Sequence, residues 1–280
     1  MKWFKEDLYH SKYAQAIVVD KELYKGKSKF QKIFLFENSV LGKVLVLDDI
    51  VQTTEVDEFI YHEMLAHCAM SMHRKPKSVL IIGGGDGGTL EEVIKYRTVE
   101  KIVMVEIDGA VVDLAKKYLR SICGKAFEDK RTKLIIDDGI KYVQDTKEKF
   151  DVVIVDSPDP IGPGKVLFSA KFYKGVYNIL NKKGVMSRQT GSTFFQKGEL
   201  REEMKKVENI FGRVVPYLAP VPTYVGGFFS FILGIKGISC KSYASRARIA
   251  LSWGNVKKLR YFSPEVFAAS TVLPPYALER

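Results

Sequence analysis

Cysteine is scarce in this chain: Cys68, Cys123 and Cys240 are the only three in 280 residues, and they lie far apart. An odd, scattered set does not build a disulfide framework and suits reduced thiols. No stretch approaches the roughly 18 apolar residues that span a bilayer. The longest candidate, "YVGGFFSFILGI", is interrupted by glycine and reads as a core strand. The opening residues, "MKWFKEDLYHSKY", lack the apolar centre of a signal peptide. These absences predict a cytoplasmic protein with no membrane partner. There are four histidines, and their one metal-like spacing fails. "YHEMLAHC" would need a histidine at Ala66 to complete a zinc-protease helix after His62 and Glu63, and His67 comes one residue late, about 100° round the helix. No metal is expected.

What is present is ordinary for a globular enzyme: 46% hydrophobic and 28% charged residues, enough for one large domain with a smaller attachment. The formal charge of +11 comes from scattered cations, with one denser patch from Lys21 to Lys32, "KELYKGKSKFQK". Such a patch reads as a hairpin edge protected against further pairing, so no nucleic-acid partner is expected.

From Ala14 to Thr54 short β-rich bursts ("AQAIVVD", "FQKIFLFE", "KVLVLDD", "IVQTT") alternate with turn signals such as "YKGKS" and "ENSVLG", predicting a small antiparallel unit over 1–54. A helix is expected over 55–73, starting at Thr54 or Glu55, with Val56, Phe59, Ile60 and Met64 on its apolar face. After Lys77 apolar strands ("SVLII", "KIVMVEI", "KLIID", "DVVIV", "GVMSR", "GFFSFILGI") alternate with helical segments such as "GTLEEVIKY" and "DGAVVDLAKKYL". That rhythm predicts an α/β, Rossmann-like domain over 55–280, of the class I methyltransferase type. Ligands in such folds sit outside the carboxyl ends of the strands.

"LIIGGGDGGTLEE" supplies G-x-G-x-x-G as Gly83, Gly85 and Gly88 between a strand and a helix, and Glu106 ends the next strand in "VMVEID". Glycines let backbone N–H groups approach a ligand, and a carboxylate at that spacing can accept both hydroxyl protons of a ribose. An adenosine-containing cofactor follows, NAD or an S-adenosyl compound. Asp86 inside the loop would repel a pyrophosphate but suits an ammonium or sulfonium. "IIDDG", with Asp137, Asp138 and Gly139, offers an acceptor for an adenine amino group, or else a simple turn. "DVVIVDSPDPIGPGKVLFS" places Asp156 at a strand's end and Asp159 just beyond, before a Pro/Gly segment suited to excluding water. A plainer role for Asp156 is capping the next helix.

"DEFIYHEML", "VLIIGGGDGG", "VMVEID", "LIIDDG" and "VDSPDPIGP", in that order, resemble the aminopropyltransferases of polyamine synthesis, the spermidine synthase family. The tail "RYFSPEVFAASTVLPPY" is similar more loosely, so the likeness runs from about Phe30 to Tyr276. It implies a co-substrate, decarboxylated S-adenosylmethionine, whose aminopropyl group passes to a diamine such as putrescine, leaving methylthioadenosine, with no prosthetic group. By the same resemblance Gln31 would contact the donor, Glu106 its ribose, Asp138 and Gly139 its adenine region, and Pro163 the wall of the nucleoside pocket. Asp86 would hold the aminopropyl ammonium and Asp156 would accept the proton. Asp159, Tyr61, His62 and Tyr224 would surround the amine. A homodimer or homotetramer, paired through the β unit, is also implied.

An amine with a reference pKa near 10.4 is free base in about one molecule in 10³ at pH 7, and only that form attacks carbon. A carboxylate beside the nitrogen, with Tyr61 as a relay, would take the proton as the sulfonium leaves as a thioether. Asp86 would also disfavour the carboxylate of intact S-adenosylmethionine: unit charges ~4 Å apart at an effective dielectric of ~20 interact by roughly 4 kcal/mol, less what the retained ammonium recovers. Two positions depart from the family pattern. Arg188 in "VMSRQTGS" stands where a small residue is expected beside Gln189 and Gly191, and Phe267 where several relatives have histidine. Both leave the acceptor's length open. The rival expectations are an amine N-methyltransferase and a non-catalytic polyamine or nucleoside sensor.

Overall fold

The computed structural model describes residues 1–7, 12–158 and 166–279. Its amino-terminal part is antiparallel. β1 (Lys2–Glu6) pairs with β2 (Gln15–Val19), while β3 (Lys21–Lys27), β4 (Lys32–Asn38), β5 (Gly42–Leu47) and β6 (Ile50–Thr54) form a four-stranded meander. Sequence reading misses β1 and takes "YKGKS" for a turn. In fact β3 runs through it to Lys27, opposite Lys32, and the reversal falls where Ser28 N donates to Gln31 O. β3 is the outer strand of its sheet, so its lysines line an edge.

The helix after β6, α1 (Glu58–His73), begins later than its sequence predicts. Thr54 stays in β6 opposite Val44 and its hydroxyl donates to Asp57 Oδ1 at 2.6 Å, so the helical turn opens only after Asp57. Val56, an expected core position, is exposed, whereas residues 60–72 are buried on every side. A helix buried all round belongs in the middle of a core rather than on its surface, and the polar side chains of this one, such as Glu63 and His67, find partners there.

The remaining elements wind one large sheet. In chain order they are β7 (Ser78–Gly83), α2 (Gly88–Ile94), β8 (Lys101–Glu106), α3 (Gly109–Tyr118), α4 (Arg120–Cys123), β9 (Thr132–Ile136), α5 (Gly139–Asp145) and β10 (Phe150–Asp156). Then come α6 (Ala170–Ile179), β11 (Leu180–Ser192), α7 (Glu199–Phe211), β12 (Val214–Pro220), β13 (Phe228–Ile235), α8 (Tyr243–Gly254) and α9 (Pro264–Ser270). The spatial order is β12-β13-β11-β10-β7-β8-β9, with β13 antiparallel to both its neighbours. Val152 to Val155 of β10 are fully buried between β7 and β11, as a continuous apolar run in a doubly covered parallel sheet should be. β12 escapes sequence reading because "VVPYLAP" carries Pro216 and Pro220; it is the outermost strand, where proline is tolerated.

The β unit and the large sheet share a core. Ile33, Leu35, Leu45 and Leu47 on one face of the meander pack against Val111, Ala115, Leu119 and Ile122 along α3 and α4. The alternate residues Phe36, Val44 and Val46 turn to the other face, beneath Phe4, Ile17 and Val19 of the β1–β2 hairpin. The chain runs from β7 through α2 to β8 on one side and later returns to place β10 on the other. A crevice therefore opens where β7 and β10 end side by side.

Candidate active site

Gly83 ends β7 opposite Asp156, and Gly84 N donates to Asp156 O at 2.8 Å. With φ at +82°, a Cβ on Gly83 would lie 2.1 Å from that same carbonyl oxygen. Only glycine lets the donor-side loop and the β10 terminus come this close. At Gly88 a Cβ would fall 2.2 Å from the His62 ring, so the first turn of α2 is the seat of that imidazole.

Among the described residues Asp156 caps no helix; the cap of α6 is Ser169, which accepts from Phe172 N. Its carboxylate instead accepts from Tyr61 Oη at 2.9 Å and from Thr89 Oγ1 at 2.6 Å. Next to it, His62 lies between two acids, with Nδ1 2.7 Å from Glu58 Oε2 and Nε2 3.4 Å from Asp86 Oδ2. Asp86 Oδ1 also accepts from Gly88 N. Burial works against charge on His62, yet Asp86 and Glu58 outweigh it and raise the imidazole's pKa well above its ordinary value. Asp86 is correspondingly held down: burial opposes its ionisation, but the His62 charge and hydrogen bond prevail. Asp156 moves the other way, raised by burial and then by the Asp86 charge. Burial first, then Asp156, drives the Tyr61 phenol well above its usual range, so it serves as a hydrogen-bond donor and not as a base.

Three carboxylates against one imidazolium leave this rim negative. His62, Asp86 and Asp156 present ligand-type atoms within 4.8 Å of one another. His67, the other histidine of "YHEMLAHC", faces away: its ring nitrogens meet Glu92 Oε2 at 2.8 Å and Tyr96 Oη at 3.0 Å. Glu63 between them accepts the backbone N–H groups of Arg260, Tyr261 and Phe262.

These groups open onto a cavity of about 340 Å³. Along one side lie Gly83, Gly85, Glu106, Asp138, Gly139 and Gln31. Glu106 is buried, accepts from Asp108 N at 2.8 Å, and is pushed up to about 7, chiefly by burial. Asp138 spends one oxygen capping α5 at Ile140 N, so the simple-turn reading is part of its job. Gln31 Nε2 donates to Asp108 Oδ2 at 2.8 Å, as does Ser28 Oγ at 2.6 Å, tying the β3–β4 reversal to the rim of the large sheet. The other side is aromatic: Tyr61, Tyr224 and Phe229 meet edge to face with centroids 4.9–6.0 Å apart.

Eleven of the residues singled out from sequence thus line one cavity: Gln31, Tyr61, His62, Gly83, Gly85, Asp86, Glu106, Asp138, Gly139, Asp156 and Tyr224. Asp159 and Pro163 lie outside the described residues. Sequence reading misses Glu58 and Thr89, which hold His62 and Asp156, and Glu6, a buried carboxylate of β1 that reaches the cavity wall and accepts from Val51 N at 2.9 Å. Glu58 was legible from its i,i+4 spacing to His62. Nothing local marks Glu6. Phe267 is away from the cavity, fully buried among Tyr217, Tyr243 and Phe262, and Arg188 is buried on the far side of β11. Neither side chain lines the cavity.

A Rossmann-like sheet with an acid-ringed nucleoside cavity at its switch point defines a transferase of the S-adenosyl type. Residues 58–243 match the spermine/spermidine synthase domain and residues 2–55 the spermidine synthase tetramerisation domain. The chain is 45% identical over 278 residues to a polyamine aminopropyltransferase of Buchnera aphidicola, covering 99% of this chain and 96% of the relative. It is 42% identical to one of Pseudomonas syringae, covering 99% and 97%. A crystal structure of spermidine synthase in complex with the transition state analogue AdoDATO superposes with a TM-score of 0.92 at 38% identity, covering 99% of this chain and 94% of that one. Spermidine synthase from Thermotoga maritima gives 0.88 at 37%, with the same coverage. The chain belongs to the spermine/spermidine synthase family. It is an aminopropyltransferase, and its co-substrate is decarboxylated S-adenosylmethionine.

Proposed function

We propose that the protein transfers the aminopropyl group to putrescine or a diamine of similar length, giving spermidine and methylthioadenosine, with Asp156 as proton acceptor. The observation that carries this assignment is the divergence of the two neighbouring aspartates. His62 keeps Asp86 ionised, suited to the donor's ammonium. Asp156 has its basicity raised by burial and by Asp86, which narrows the gap to the amine. The amine nitrogen loses its proton to Asp156 and forms the new C–N bond as the C–S bond breaks, the electron pair leaving on sulfur. Tyr61 and Thr89 orient the carboxylate. Tyr224 and Phe229 pack on the methylene chain, Glu106 accepts the ribose hydroxyls, and Gln31, Asp138 and Gly139 contact the nucleoside. Glu6, a buried acid contributed by the β unit, faces the distal ammonium.

Among the described residues no helix is long and apolar enough to cross a membrane, and we place the enzyme in the cytoplasm. The tetramerisation-domain match supports a homo-oligomer assembled through residues 1–54, with 55–280 as the catalytic domain. The test is incubation with decarboxylated S-adenosylmethionine and a panel of amines, with products identified by mass. Methylthioadenosine with an aminopropylated diamine is expected. Its absence with every amine, or adenosylhomocysteine formed from the intact donor, overturns the reading in favour of a sensor or an N-methyltransferase.

A further inference from the structure

Arg188 is the largest side chain with no solvent exposure, and no carboxylate touches it among the described residues. It lies on β11 beside Val155, and the next residue, Gln189, points to the opposite face, as strand geometry requires. Gln189 Nε2 donates to Ser157 O at 3.1 Å, holding the chain just after Asp156. Arg188 holds the chain at Leu167 and Phe168. Its Nη1 donates to Leu167 O at 2.7 Å, and the guanidinium stacks over the Phe168 ring with 3.5 Å to the centroid. Nη1 also donates to Tyr173 Oη at 2.6 Å, and that hydroxyl donates in turn to Glu203, itself paired with Lys206 at 2.6 Å.

Ser157 and Leu167 both line the cavity, and Leu167 packs in the same apolar cluster as Ile140, beside Asp138 and Gly139. Arg188 therefore acts on the nucleoside side, across the sheet from Tyr61, Tyr224 and Phe229. A buried guanidinium without a direct counter-ion is no gain in stability over an apolar side chain of its size, and Nη2 has no partner among the described residues. What the guanidinium supplies is direction: a rigid fork that pins a carbonyl and a phenol while its plane seats on a ring.

We propose that Arg188 is a positioning residue for donor binding, fixing the Leu167–Phe168 turn as a wall of the nucleoside pocket. This rests on the aminopropyltransferase reading. The test compares Arg188→Met and Arg188→Lys in the full chain, varying decarboxylated S-adenosylmethionine at saturating putrescine and the reverse, with methylthioadenosine affinity measured by calorimetry. Arg188→Met is expected to raise donor KM and methylthioadenosine Kd about tenfold while kcat and amine KM stay within about twofold. Arg188→Lys should recover part of the loss, since an ammonium can still bond to the Leu167 carbonyl but cannot stack as a plane. Unchanged donor KM and nucleoside Kd in either folded variant overturns the proposal, as does a fall in active fraction alone or a rise confined to amine KM. Should Arg188→Met not fold, the lysine variant carries the same comparison. Methylthioadenosine affinity reads Arg188 even if no amine turns over, so failure of the parent reading shows separately, as absent turnover by the wild-type chain.

Discussion

Tyr61 Oη donates to Asp156 Oδ1 at 2.9 Å across the gap between α1 and the end of β10, residues 95 positions apart in the chain. In the mechanism proposed above the contact makes the phenol an orienting group and the carboxylate the base. Tyr61→Phe should lower kcat about 10- to 100-fold with little change in donor KM, while Asp156→Asn should cost about 10³-fold or more, in the range of a lost general base. Steady-state kinetics on both variants check this. A Tyr61→Phe loss as large as that of Asp156→Asn would return the proton-transfer role to the phenol.

Glu106 offers a pH dependence of donor binding. Its folded pKa is about 7, raised above the ordinary 4.5, so the free protein carries it increasingly protonated as pH falls below 7. The ionised form accepts ribose hydroxyl protons best, so methylthioadenosine affinity should climb from pH 6 to pH 8. In Glu106→Gln the climb should flatten at weaker affinity. Calorimetric titrations across that range decide it, and a flat wild-type profile would remove Glu106 from the binding step.

Gly88→Ala tests the seat of His62. Alanine in place of glycine ordinarily stabilises a helix by about 1 kcal/mol. Here its Cβ meets the imidazole at 2.2 Å. The variant should therefore lose stability and most turnover together, the reverse of the propensity effect. Denaturant melts and initial rates suffice, and a more stable, fully active variant would show that the ring is not confined there.

His67 and Glu92 form a buried pair between α1 and α2 at 2.8 Å. Burial opposes ionisation of Glu92, yet His67 and Lys95 lower it from 4.5 to about 2, while Glu91, which shares Lys95, is pushed up to about 7. A depressed carboxylate stabilises the fold above its unfolded pKa and loses that contribution as pH falls through the folded one. Glu92→Gln should cost about 3 kcal/mol at pH 7. The gap from wild type should shrink as pH falls from about 5 to about 2. Urea melts at several pH values measure it; a gap independent of pH would mean that Glu92 is not held ionised in the fold.

The readable parts of this chain were those whose signal is local. Val152–Val155 announces a buried parallel strand, and Gly83 and Glu106 close β7 and β8 while Asp86 and Asp138 lie in the loops just past β7 and β9, all four lining the cavity. What could not be read depends on partners distant in sequence. Glu6 gains its meaning from Val51, Thr89 from Asp156, and the start of α1 from the pairing of Thr54 with Val44. Arg188 is the sharpest case: a cation at a strand end ordinarily seeks an acid or water, and this one bonds to two carbonyls and a phenol and stacks on an aromatic face.

Helix α1 sends three successive side chains in three directions: Tyr61 to Asp156, His62 to Asp86, and Glu63 to the backbone at residues 260–262. With no side left to water, it has no orientation to relax into when one neighbour changes. Mutational scans should find this segment intolerant around its whole circumference. Shortening the chain ahead of residue 260 should silence catalysis from the opposite end of the molecule, by letting that axle turn.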